Sequence, residues 1–233
     1  MKNLIIIPAY NEQECIKETI EMIKRDAPDF DYVVINDHST DDTLTILKQN
    51  HINFVNLPAN LGIGGAVQTG YLYAYENDYD TAVQVDADGQ HDPKYLSMML
   101  DTLKKENVDM IIGSRFIENK GFQSTFARRI GITYFTNLIH MLTGATITDP
   151  TSGLRMGNRK VIELFARDYP RDYPEPESVV TLLKKGMNVK EVPVMMRERQ
   201  GGVSSINLKK SIYYMVKVTI AILIENHRQG GRK

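Results

Sequence analysis

Thr81-Ala-Val-Gln-Val-Asp-Ala-Asp-Gly-Gln-His91 sets a short apolar run directly before two carboxylates, Asp86 and Asp88. Residues 81–85 read as a strand that ends at the acidic pair. The same grammar recurs on both sides of it. Residues 4–7, 32–35, 54–57 and 109–112 are short apolar runs of the kind buried on both faces of a sheet. Between them, residues 14–25 carry Ile16, Ile20 and Ile23 at helical spacing, and 41–50, 64–75 and 95–105 also read as helices. Repeated β-α-β units predict a mainly parallel sheet with helices on both faces. Ligands of such sheets bind beyond the carboxyl ends of the strands. Four polar clusters sit there: Pro8-Ala-Tyr-Asn-Glu12, Asn36-Asp-His-Ser-Thr-Asp41, Asp86-Ala-Asp-Gly-Gln90 and Gly113-Ser-Arg115. Four loops on one edge predict a site.

The chain has 233 residues, 42% hydrophobic and 24% charged, a globular composition sized for one large domain. Lys and Arg number 28 against 29 Asp and Glu. That balance excludes a globally basic nucleic-acid binder, and no nucleic-acid partner is expected. The one cysteine, Cys15, excludes an internal disulfide and a cysteine-cluster metal site, and fits a reducing cytosol. The first apolar run stops at Pro8, too short for a secretory signal. The longest, 212–223, is interrupted by Lys217. Extended to 224 as a helix it would reach roughly 20 Å, against a hydrocarbon core of about 30 Å. The expectation is a chain that does not span a membrane by itself.

The second half is less regular. Residues 125–143 read as a helix with Arg128 and Arg129 in its first turns, 167–177 with three prolines as a loop, 179–185 as a helix, 189–194 as a strand and 208–224 as a final helix.

Asp86 and Asp88 stand two apart at a strand end, so both carboxylates can point the same way, and Gln90 would join them if the backbone stays extended. Such oxygen donors suit Mg²⁺ or Mn²⁺ shared with substrate phosphates. Asn60-Leu-Gly-Ile-Gly-Gly65 opens a helix, with Asn60 as the expected N-cap. Its glycine spacing fits neither a dinucleotide-binding turn nor a P-loop. His38 reads as a hydrogen-bonding surface residue, and no second histidine at helical spacing suggests zinc.

Seven motifs stand in the order found in family 2 glycosyltransferases. They are the four loop clusters above, the Asn60 segment, Asp149-Pro-Thr-Ser-Gly-Leu-Arg155 and Arg199-Gln-Gly-Gly-Val-Ser204. Over residues 3–206 the chain most resembles the dolichyl/polyprenyl-phosphate sugar transferase branch. The resemblance implies a GT-A fold, a nucleotide-diphospho sugar as donor, Mg²⁺ or Mn²⁺ as cofactor and inversion at the anomeric carbon. It implies that Pro8, Tyr10, Glu12 and Asp37 hold the nucleoside, with Ile35 packing on the base. Asp86, Asp88 and Gln90 would hold the metal, and Arg115 and Arg199 would reach the pyrophosphate or the acceptor phosphate. Asn36 departs from the acidic residue often found at its position. A UDP-sugar is the expected donor, as the common one for enzymes of this kind.

The acceptor decides the rest. A phosphate monoester is mostly dianionic at pH 7, needs no general base and needs cations, for which Arg128 and Arg129 are placed. A sugar hydroxyl needs a carboxylate base, for which Glu175 and Glu177 stand where hydroxyl-glycosylating relatives carry one. Asp88, Asp149 and Glu177 are the catalytic candidates, and Asp149 with Arg155 also reads as an internal ion pair organising the site. The expected activity moves a hexose or N-acetylhexosamine to a polyprenyl (undecaprenyl) phosphate for cell-envelope glycan synthesis. Polysaccharide extension through a hydroxyl, or a non-catalytic sugar-nucleotide-binding subunit, are the alternatives. Residues 1–206 are expected as the transferase domain and 207–233 as an amphipathic helix with a basic tail. That tail would dock on an anionic membrane or a small membrane protein, placing the enzyme peripherally on the cytoplasmic face of the cell membrane. A homo-oligomer is compatible with the sequence.

Overall fold

A computed structural model describes residues 1–118, 126–172, 174–197, 213 and 215–224. Among these, seven strands form one sheet. They are β1 (Asn3–Ala9), β2 (Asp31–Asn36), β3 (Phe54–Asn56), β4 (Thr81–Gln84), β5 (Met110–Ser114), β6 (Arg155–Asn158) and β7 (Val189–Pro193). The spatial order is β3-β2-β1-β4-β6-β5-β7. β6 alone runs antiparallel, wedged between β4 and β5. The helices are α1 (Ile16–Asp26), α2 (Thr43–Gln49), α3 (Gly62–Glu76), α4 (Tyr95–Lys105), α5 (Phe126–Thr143), α6 (Arg159–Arg167) and α7 (Pro174–Lys184), and residues 215–224 are also helical.

The two-residue period of the strands distributes one apolar run between two cores. In β1, Ile5, Ile7 and Ala9 face α1, α2 and α4, whereas Leu4 and Ile6 face α3, α5, α6, α7 and the last helix. Each isoleucine so buried contributes about 1.5–3 kcal/mol. The α/β architecture follows, with the carboxyl ends of β1, β2 and β4 on one edge.

Two elements depart from the sequence reading. Residues 155–167, most of which the sequence reading assigns to no element, hold β6 and α6. β6 is four residues long and carries Arg155, Gly157 and Asn158, so it lacks an apolar run, and the Asn158 side chain caps α6 by accepting from Val161 N–H at 3.2 Å. Residues 174–177, read as loop, are the first turn of α7. Proline is tolerated there because those N–H groups have no intrahelical partner, and Glu175 and Glu177 complement the positive helix end.

Candidate active site

A cavity of about 420 Å³ opens at the carboxyl ends of β1, β2 and β4. Pro8, Ala9, Tyr10 and Glu12 form one wall, and Asn60, Gly62, Ile63 and Ala66 another. Gln84, Asp86, Ala87 and Asp88 form a third, with Asp37 and Glu175 completing the lining. A second cavity, about 470 Å³, opens at the amino end of β2 around Lys24, Tyr32 and Tyr79. Its one carboxylate, Asp31, accepts from the Tyr79 hydroxyl at 3.1 Å, and it has none of the motif loops.

The loops after β1 and β2 are laced together. Asn11, with φ of 57°, donates its N–H to Ser39 Oγ at 3.0 Å and accepts from Thr40 N–H at 2.8 Å. Glu12 N–H donates to Thr43 Oγ1 at 2.9 Å. Asp37 is buried and accepts the N–H groups of Leu61 and Gly62, at 2.7 and 2.9 Å, on its two carboxylate oxygens. Asp37 therefore does for α3 what Asn60 was expected to do. Leu61 is the N-cap position, and the Asn60 side chain accepts from Gly62 N–H at 3.2 Å. Three residues on, Gly64 lets α3 touch backbone: a Cβ there would stand 2.1 Å from Arg171 O.

The acidic loop is a turn. Gly89, with φ of 75°, bends the chain, so Gln90 does not follow Asp86 and Asp88 into the cavity lining. Gln90 N–H donates to Asp88 Oδ1 at 3.1 Å, and its side-chain amide donates to Arg197 O at 3.3 Å. Buried His91 accepts the Asp86 N–H on Nδ1 at 3.0 Å, which fixes the start of the turn. Gly153 approaches from the other side, where a Cβ would lie 3.0 Å from Asp86 Oδ2.

Arg115 and Asp149 come together as a buried fork. Nε and Nη2 of Arg115 donate to Oδ2 and Oδ1 of Asp149, both at 2.7 Å. Asp149 was expected to pair with Arg155. Arg155 is instead fully buried among oxygens, donating to Ser152 O, Pro150 O, Glu175 O and Ser178 Oγ. It thereby ties the 149–153 turn to the start of α7. Below it, Glu191 accepts the N–H groups of Thr148 and Asp149, both at 2.7 Å, and burial raises its pKa.

The other expected residues divide by position. Pro8, Tyr10, Glu12, Asp37, Asp86 and Asp88 line the cavity. Ile35 is fully buried in the core and is not among the lining residues. Of the two α7 glutamates, Glu175 rather than Glu177 lines the cavity. Burial raises the Glu175 pKa; Asp86 adds to the rise and Arg155 opposes it. Arg129 is exposed at the start of α5. Arg199 and the side chain of Arg128 lie outside the described residues. Sequence reasoning missed Glu191 and the part played by Arg155, although Arg155 lies in a quoted motif.

Among the described residues, the lining holds five carboxyl groups, Glu12, Asp37, Asp86, Asp88 and Glu175, and no lysine or arginine. Such a surface repels an anion unless a cation intervenes. Asp86 and Asp88 open onto the space together, and as hard oxygen donors they fit a divalent ion that keeps further positions for water or phosphate. No group of three or more His, Cys, Asp or Glu able to hold a metal occurs among the described residues.

Residues 4–165 match the family described as Glycosyl transferase family 2. The chain belongs to that family. Among its family 2 relatives, polyprenol monophosphomannose synthase of Mycolicibacterium smegmatis is 28% identical over 225 residues, covering 91% of this chain and 84% of the relative. UDP-N-acetylglucosamine--dolichyl-phosphate N-acetylglucosaminyltransferase of Methanococcus voltae is 28% identical over 210 residues, covering 82% and 83%. In fold, the chain resembles glucosyl-3-phosphoglycerate synthase of Mycobacterium tuberculosis in complex with Mn²⁺, UDP-glucose and phosphoglyceric acid. The TM-score is 0.75 at 17% identity, covering 97% of this chain and 80% of that one. The architecture of this family 2 glycosyltransferase is accordingly GT-A-like.

Proposed function

We propose that this glycosyltransferase moves a hexose or N-acetylhexosamine from a nucleotide-diphospho sugar, with a UDP-sugar as the expected donor, to a polyprenyl phosphate. The observation that carries the reading is the joint opening of Asp86 and Asp88 onto a cavity walled by the loops after β1, β2 and β4. The acceptor is supported by relatives named for polyprenol and dolichyl phosphate.

Tyr10, Glu12 and the Asn60 segment would hold the nucleoside, with Ile63 and Ala66 as its apolar wall; Tyr10, Glu12, Asn60, Gly62, Ile63 and Ala66 all line the cavity. Asp37 acts on that wall through the two N–H groups it accepts, which hold the 60–62 turn in place. Asp86 and Asp88 would hold Mg²⁺ or Mn²⁺, which when bound offsets the charge of the departing diphosphate. An acceptor phosphate oxygen forms the new bond to the anomeric carbon as the bond to the nucleoside diphosphate breaks. At neutral pH that oxygen carries no proton to be removed. Arg128, Arg129 and Arg199 are the cations proposed to meet the acceptor.

A second reading has one specific observation in its favour. Glu175 is a carboxyl of raised pKa inside the cavity, suited to accept a proton from a sugar hydroxyl. Incubating the protein and membranes with a panel of radiolabelled nucleotide sugars identifies the donor by which label becomes lipid-soluble. On the same membranes, Arg128→Ala or Arg129→Ala should slow transfer to a phosphate about ten- to a hundredfold, through loss of about 1.5–3 kcal/mol. Glu175→Gln and Glu177→Gln should then cost little. With a hydroxyl acceptor the order reverses, and loss of the base costs about 10²–10⁴-fold. A folded, donor-binding glutamate variant that is nearly inactive beside healthy arginine variants overturns the phosphate acceptor.

A further inference from the structure

The helix over residues 215–224 is apolar on two opposite sides. Val218 and Ile222 are 1% and 0% exposed and belong to the core against α3, α5, α6 and α7. On the other side, Tyr213, Val216, Ile220, Leu223 and Ile224 are all exposed, at steps of three and four residues that put them on one stripe. That stripe contains no charged residue. The helix's own lysine, Lys217, borders the stripe, pairing with Asp172 at 2.8 Å and lying over the Tyr213 ring, 5.7 Å from its centre. α5 continues the surface with Ile130, Tyr134 and Met141, which share one face and are exposed. The two helices are joined where the Tyr134 hydroxyl and Thr219 Oγ1 hydrogen-bond at 3.0 Å, and where Met215 Sδ packs 3.9 Å from the position of a Cβ on Gly131.

A helix apolar all round is stable only with apolar matter on both sides, and the protein supplies one side. We infer that the α5 and 215–224 stripes together form a docking face for an anionic lipid bilayer, a partner that rests on the lipid-linked acceptor proposed above. Charge selects this occupant. Apart from the paired Lys217, the sequence over 207–233 carries Lys209, Lys210, Arg228, Arg232 and Lys233 against the single acid Glu225, and Arg129 is exposed at the start of α5. Basic residues beside an apolar face are drawn to anionic headgroups while the apolar side chains enter the acyl boundary. A second copy on the same face would bring together two chains that each carry this net positive C-terminal sequence, and like charge opposes that. The last helix thus has two functions in one turn pattern: Val218 and Ile222 hold it to the domain, and the opposite stripe carries the domain to the lipid. Deleting it would confound the two, so the test uses outward-facing positions only.

Full-length protein is sedimented with phosphatidylcholine vesicles with and without phosphatidylglycerol, at low and high salt. Binding is expected to the anionic vesicles and to weaken as salt rises. The paired change Ile220→Asp and Leu223→Asp should weaken it by more than about tenfold, and Ile130→Asp on α5 should weaken it independently. UDP-sugar binding and the melting temperature, measured without vesicles, should match the parent protein and show that the variants fold. Absence of binding to anionic vesicles, or binding insensitive to both sets of substitutions in folded protein, overturns the inference. So does a dimer in sedimentation velocity that the same substitutions dissolve. Failure of the parent to bind any nucleotide sugar would instead count against the transferase reading, and the vesicle result would stand apart from it.

Discussion

Arg115 and Asp149 meet through two parallel N–H···O bonds of 2.7 Å, with Asp149 fully buried. The Asp149 backbone N–H is held in turn by Glu191. A guanidinium committed in this way shapes the turn that carries Gly153 against Asp86. Removing one member of a buried pair strands the other charge at a cost of about 3–5 kcal/mol. Asp149→Asn should therefore lower the urea midpoint by that equivalent, and Arg115→Lys should fail to preserve stability because one ammonium cannot reproduce the fork. Additive effects in a double-mutant cycle of Arg115 and Asp149 would contradict direct coupling.

Metal dependence is the outcome expected from the charge of the cavity. The carboxyl groups among the described lining residues would by themselves repel a diphosphate. Transfer is expected to stop with chelator and return with Mg²⁺ or Mn²⁺, and Asp88→Asn should lose about 10²-fold or more in kcat. Full turnover by Asp88→Asn in excess chelator would remove the metal assignment.

The Glu175 carboxyl has a pKa raised above 4.5 in the folded protein, chiefly by burial. Between the unfolded and folded pKa values the native state binds more protons than the unfolded one. Stability contributed by this group is therefore greatest at low pH and declines as pH rises through that window. Glu175→Gln should remove this decline, so its stability relative to the parent should improve from pH 4 towards neutrality. Melting curves across that range check it, and parallel curves for the two proteins would contradict the shift.

Gly64 allows α3 to rest on the backbone of Pro170 and Arg171, with its N–H donating to Arg171 O at 3.2 Å. A methyl group there cannot be accommodated by rotating a side chain. Gly64→Ala should cost about 1–3 kcal/mol. It should also raise KM for the donor, because Asn60, Gly62 and Ile63 move with the helix end. An unchanged melting temperature would show that this packing is less tight than the 2.1 Å approach indicates.

The sequence by itself determined the α/β class, most strands of the sheet and the edge where chemistry belongs. It could do so because buried parallel strands are short continuous apolar runs, and because their polar carboxyl-end loops are contiguous in sequence. Asp86 and Asp88 were legible for the same reason: two residues of one turn need no partner from elsewhere to stand together. Tertiary structure decided what depended on distant segments. β6 has no apolar run of its own and becomes a strand only because β4 and β5 offer hydrogen bonds on both sides. Asp149 finds Arg115 rather than Arg155, and Asp37 caps a helix that begins twenty-five residues later, through contacts that no local period encodes. The turn at Gly89 leaves the Gln90 side chain on Arg197 O and outside the cavity lining, because glycine there adopts a positive φ that an extended reading does not anticipate. Whether Glu175 or Glu177 faces the cavity is likewise a matter of helical phase, fixed when α7 docks on the core through Val179, Val180 and Leu182.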